Sequence, residues 1–182
     1  MKKVLFAAFL LVSSNAIFAQ VNKGQFLVGG NAGFNSSKRG DEKLTSFWVS
    51  PNAGYFFIDK LAGGLRLNFT SDKAKGAEDA YTSFGIAPFV RYYFLDAAQK
   101  VNVFADASYG FDKEGGDKKE SGNQYTISAG PAIFLSPNTA LEFALFYNSK
   151  GGDLHENIAG DRRNTFGLNI GFQIHLGGGG KK

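Results

Sequence analysis

Two histidines, several serines and four charged residues inside otherwise uncharged stretches are the positions at which this chain could do chemistry. His155 stands beside Glu156, with Asp153 near, in a long polar stretch. Such a group has the makings of a general base, and Ser36, Ser71 or Ser149 would be its nucleophile. No motif fixes that geometry, and a histidine in a polar stretch is ordinarily just solvated. His175 sits alone near the end of the last apolar segment. The His155-Glu156 adjacency is not ligand spacing on a strand or helix. With no cysteine, thiolate metal sites, thiol nucleophiles and disulfides are excluded. Asp72, Asp79, Asp112, Asp117, Asp153 and Asp161 could meet divalent ions, but charge-rich connections are normally soluble loops. Gly29-Gly30 and Gly151-Gly152 lack the strand–loop–helix setting of a phosphate cradle. No catalytic, cofactor-binding or metal-ligating residue is assigned. What stands out is a set of four: Arg66, Arg91, Asp106 and Glu142.

Those four gain meaning from the segments that carry them. The chain has 182 residues, with 24 glycines and 19 phenylalanines, a bias away from helix. Lys2-Lys3, then the apolar run 4–12, then Ala16-Ile17-Phe18-Ala19 predict a signal peptide over residues 1–19. Nine apolar residues are too few for a membrane helix, which needs about 20. Without Lys2 and Lys3, 18 basic residues face 16 acidic ones, too even a balance for a nucleic-acid partner.

From residue 20 the chain repeats one design. Alternating segments are predicted over 25–35, 47–57, 61–70, 83–94, 101–111, 125–135, 140–148 and 166–176. One parity is apolar throughout, as in Val101, Val103, Ala105, Ala107, Tyr109 and Phe111. The other is glycine, alanine, serine, asparagine and some aromatics. Long charged connections (36–43, 71–80, 112–123, 149–164) alternate with short ones (58–60, 95–100, 136–138). An even strand count, with long loops at one end and tight turns at the other, predicts an all-β fold: an eight-stranded antiparallel up-and-down transmembrane β-barrel over 20–176. Residues 177–182 read as a flexible C-terminal tail. Turns and termini would face the periplasm.

A soluble barrel also alternates, but its outer wall must be charged. Here the eight segments hold only Arg66, Arg91, Asp106 and Glu142, all on the mixed parity. The apolar parity carries no charge, as a lipid-facing wall requires. Its aromatics gather at segment ends: Phe26, Tyr55, Phe57, Tyr92, Phe94 and Phe172 toward the turns, Phe34, Phe47, Phe69, Phe84, Tyr109 and Phe111 among those toward the loops. That is the double girdle of a membrane barrel. The four charges then face the lumen, their signs cancel, and they are expected to form one or two ion pairs, Arg66 with Asp106 and Arg91 with Glu142. Phe56, Phe89, Tyr93, Phe104, Phe134 and Phe146 also point inward, so the lumen is expected to be plugged. Pro51, Pro88 and Pro131 sit on the lipid parity and imply a bulge or a missing ladder bond.

The signal peptide, the Pro51-Asn52-Ala53-Gly54-Tyr55-Phe56 pattern and the alternating final strand 165–176 resemble the small outer-membrane β-barrel domain family, to which OmpX and the OmpA transmembrane domain belong. The resemblance implies a monomer in a bacterial outer membrane, in contact with lipid and lipopolysaccharide and inserted by the barrel-assembly machinery. That machinery often reads an aromatic at the C-terminus, where this chain has Leu176 and a glycine-rich tail. Lipid A-modifying enzymes on similar barrels use His, Ser and an acid near the outer rim. The sequence therefore predicts a non-enzymatic barrel with a plugged lumen and loops suited to surface interaction. The alternatives are a barrel that binds or transports a small apolar ligand among the inward aromatics, and a lipid-modifying enzyme. The sequence names no extracellular partner. The protein is expected to fractionate with outer membranes and to change mobility on a gel when boiled, because a closed barrel has no free edge from which to unravel. Recovery in the soluble periplasmic fraction would refute this reading.

Overall fold

The structure is a computed structural model and describes residues 21–39, 42–77, 79–115, 120–154 and 162–177, with backbone alone at 35–39 and 42–44. The expected signal peptide and all of the tail beyond Gly177 lie outside these residues. Eight strands follow one another: β1 (Phe26–Arg39), β2 (Glu42–Ile58), β3 (Leu61–Ala74), β4 (Tyr81–Tyr93), β5 (Val101–Glu114), β6 (Ser121–Ser136), β7 (Thr139–Gly151) and β8 (Arg163–Leu176). Each pairs antiparallel with its sequence neighbours, and β1 pairs with β8 to close the barrel.

Side-chain alternation does the sorting. In β4 the mixed parity is buried and the apolar parity exposed from Ser83 to Tyr93 without interruption. Leu65, Val90, Val103 and Leu145 are exposed on the wall, while Phe56, Tyr93, Phe104 and Phe134 are buried inside. The wall aromatics stack across or along strands in two groups. Phe26–Tyr55 and Tyr92–Phe94 lie toward the turns at 5.3 and 5.1 Å, and Phe69–Phe84 and Tyr109–Phe111 lie toward the loops at 5.0 and 5.5 Å.

The strands run further than the alternation does. The connection expected at 36–43 is mostly ladder, since β1 and β2 pair down to Arg39 with Glu42. Likewise Lys113 pairs with Ser121, and Lys150 with Arg163. Beyond the lipid both faces of a strand meet water, so polarity stops alternating although hydrogen bonding continues. Charged residues therefore occur on the strands outside the original four, at their loop ends.

Each wall proline deletes ladder pairs on one side only. Pro51 pairs with Gly30, but the β2–β3 ladder skips from Val49–Phe69 to Asn52–Arg66. The β4–β5 ladder skips Ala87 and Pro88, and the β6–β7 ladder skips Gly130 and Pro131. The register is unchanged across every gap, so proline's missing N–H costs a bond and makes no bulge. The irregularities lie at the turns instead, between Phe56 and Ile58 and between Phe134 and Ser136.

The turn end is closed by the chain's own start. Gly24 takes a positive φ of 91°, which folds residues 21–23 beneath the barrel. Val21 accepts from the Lys60 N–H at 2.7 Å, and the Gln25 side chain donates to the Gly177 carbonyl at 3.0 Å. Val21 and Gln25 are fully buried. Beside them, Lys60 Nζ meets Asp96 at 2.7 Å, and that hydrogen bond raises the lysine's pKa and lowers the aspartate's.

Because Leu65 and Val103 face lipid, Leu65→Arg or Val103→Arg should lower stability by about 2–4 kcal/mol if they sit near the midplane, read by unfolding in lipid vesicles. Asp79→Arg, among the exposed residues between β3 and β4, should leave it unchanged. Equal tolerance at both kinds of site would place lipid on the wrong face.

Candidate functional site: a charge chain under an open polar cavity

Arg66, Asp106, Arg91 and Glu142 meet inside the barrel from β3, β5, β4 and β7. Arg66 forks onto Asp106 with bonds of 3.0 and 2.9 Å. Arg91 Nε donates to the same carboxylate at 3.1 Å, and its Nη1 reaches across the lumen to both oxygens of Glu142 at 2.8 and 2.9 Å. The arrangement is one continuous chain with Asp106 shared at its centre, rather than two separate pairs. The reason is register: Arg91 stands directly opposite Asp106 on the neighbouring strand. The Tyr93 hydroxyl donates to Glu142 at 3.2 Å, and the guanidinium groups of Arg66 and Arg91 lie 4.9 and 4.5 Å from the Phe89 and Phe104 ring centres. All four side chains are at most 6% exposed, so each charge depends on the others for compensation.

Toward the turns the lumen is packed mainly with apolar side chains, beside the buried Gln173 and His175. Leu27, Phe56, Tyr93, Phe104 and Phe134 pack with Ala62, Ala132 and Ala140. His175 is buried in this group, with its ring 5.3–5.8 Å from those of Phe134, Phe56 and Tyr93. Of the inward aromatics, Phe56, Tyr93, Phe104 and Phe134 pack against one another here, whereas Phe146 lies on the wall of the upper cavity.

Toward the loops the lumen is hollow. A cavity of about 260 Å³ lies above Arg66, lined by amides and hydroxyls such as Asn31, Asn68, Ser50, Thr126 and Asn169. Trp48 and Phe146 lie on its wall and meet edge to face at 6.2 Å. Asn148 is held by Gln124 and Thr126, and Gln124 donates to Asp112 at 2.8 Å. Sequence reasoning missed this chamber, although Trp48 is the chain's one tryptophan and falls on the inward parity.

The rim candidates are scattered. His155, Glu156, Asp117 and Asp161 lie outside the described residues, as does the Ser36 side chain. Ser149 is engaged by Arg162, whose Nε donates to its hydroxyl at 2.9 Å. Asp72 lines the cavity.

Asp106 is bonded to two arginines, so Asp106→Asn should destabilise the barrel by about 3–5 kcal/mol, the usual cost of leaving buried charge uncompensated. Glu142→Gln should cost less, because Arg91 keeps Asp106, and Glu120→Gln near the loop end should cost nothing. Denaturant unfolding of the three variants checks the order, and a null effect at Asp106 would sink the account.

Solved structures with the same barrel include Neisserial surface protein A (NspA), at 18% identity over 82% of this chain and 94% of that one, with a TM-score of 0.55. OprG from Pseudomonas aeruginosa has 12% identity, covers 87% of this chain and 99% of its own, and scores 0.54. The outer membrane enzyme PagL, at 11% identity over 82% and 98%, scores 0.46. No functionally curated protein matches the chain. The model of the outer membrane protein β-barrel domain matches residues 4–178, nearly the whole sequence. With its closed eight-stranded wall and uncharged lipid face, the chain belongs to the outer membrane protein β-barrel domain family of the bacterial outer membrane.

Proposed function

We propose that the protein is a non-enzymatic, non-conducting monomeric barrel that strengthens the membrane and presents its loop end for surface contacts. The observation that carries this reading is the stacked closure of the lumen. The Arg66–Asp106–Arg91–Glu142 chain spans it, the Phe56, Tyr93, Phe104 and Phe134 rings fill it below, and residues 21–25 cover its floor. An ion crossing there would have to displace salt-bridged charges and then enter a packed apolar layer, both costly steps. Against catalysis, His175 is buried below the charge chain, away from the rim serines, and Ser149 is already bonded to Arg162. Lipopolysaccharide is the natural neighbour of the upper girdle, and insertion is assigned to the barrel-assembly machinery. A binding role has one point in its favour, the polar chamber, whose lining suits a hydrophilic group better than an apolar one.

Planar-bilayer recordings of the purified protein should show no steady conductance, and lipid A from an expressing strain should keep its acyl pattern by mass spectrometry. A stable open channel would overturn the plug, and a shortened or added acyl chain would overturn the non-enzymatic reading.

A further inference from the structure

Among the described residues, the β1–β8 junction is the one whose ladder ends half-way. It runs from Phe26–Leu176 to Ala32–Ile170 and stops. The same register would carry Phe34 to Leu168 and Arg39 to Arg163, and these pairs are absent. Yet β1 stays paired to β2 as far as Arg39, and β8 to β7 as far as Arg163. An unpaired strand edge facing acyl chains is unfavourable, and is tolerated where it borders a wet or polar cavity. Such a cavity lies directly behind this one, with Asn31 from β1 and Thr165 and Asn169 from β8 in its lining.

Two glycines shape the inner side of the gap. A Cβ at Gly33 on β1 would collide with the Trp48 ring, and one at Gly167 on β8 would come within 3.0 Å of the Phe146 ring. Both rings therefore lie along bare backbone of the seam strands, which leaves the chamber open. Outside the gap the wall is unusually apolar: Phe34, Phe166 and Leu168 are 77, 71 and 70% exposed, the three highest values among the large hydrophobic residues. Inside, Lys150 and Arg163 line the chamber together with Asp72.

We infer that the upper β1–β8 seam is a lateral port through which a glycolipid of the outer leaflet seats its head group in the chamber. The chains stay outside along Phe34, Phe166 and Leu168. Amides and hydroxyls can both donate to and accept from sugar hydroxyls. The Trp48 face offers a sugar ring an apolar surface, and Lys150 and Arg163, which share the lining with Asp72, add donors for its hydroxyls. A cavity of about 260 Å³ is on the scale of a head-group ring. The inference leaves the lumen floor closed, so its failure is distinguishable from that of the non-conducting reading.

Trp48 is the single tryptophan and there is no cysteine, so the native chain supplies a clean reporter and a clean background. In alkyl-phosphocholine micelles, octyl glucoside should shift Trp48 emission saturably, while glucose at equal concentration should not. Phe34→Cys with Leu168→Cys would staple the seam, and the octyl glucoside shift should be lost on oxidation and regained on reduction. The boiled-versus-unboiled gel shift verifies that the double variant is folded. Equal responses to glucose and octyl glucoside would overturn the amphiphile as occupant. An octyl glucoside shift unchanged by the staple would overturn the port.

Discussion

The Asp106 carboxylate accepts from two guanidinium groups at once, and the interior depends on that bond. An eight-stranded barrel is just wide enough for side chains to meet across it. Two arginines placed there would be untenable without a shared acceptor, and Asp106 makes them a single neutral unit with Glu142 at the far wall. That unit divides the lumen into two unlike halves. Below it, rings and alanines pack around the buried Gln173 and His175; above it, amides and hydroxyls border open space. The polarity of each half follows from which side of the charge chain it adjoins.

Much of this was legible in the sequence, for a physical reason. Contact with lipid forbids charge on one parity, so Arg66, Arg91, Asp106 and Glu142 had to share the other, and in a narrow lumen they had to meet. What parity cannot supply is register. Counting from the turns assigns Arg91 to Glu142 alone, whereas the β4–β5 register brings Arg91 opposite Asp106 as well. Alternation understates strand length for a related reason. Alternation records where a strand touches lipid, and at Lys38, Arg39, Lys113 and Lys150 the ladder continues where lipid has ended.

The seam was not legible at all. Segments 25–35 and 166–176 alternate as fully as the others, and nothing local marks how far the first strand pairs with the last. The chamber was legible only in hindsight. Glycine at Gly33 and Gly167 reads as strand-weakening by composition, and becomes meaningful once each is seen opposite a ring, Trp48 and Phe146.

The floor has a consequence for the chain's topology. Gln25 on the entering segment bonds to Gly177 just past the last strand, so the two ends of the described chain lie side by side. A short linker could join them, and the covalent cut could then be moved to any of the connections at the loop end, as circular permutation permits where termini are close. In such a rearranged chain β8 would run directly into β1 as a hairpin. The half-paired junction would then join sequence neighbours rather than the two strands farthest apart in the chain, and closing it would require a much smaller loss of chain entropy.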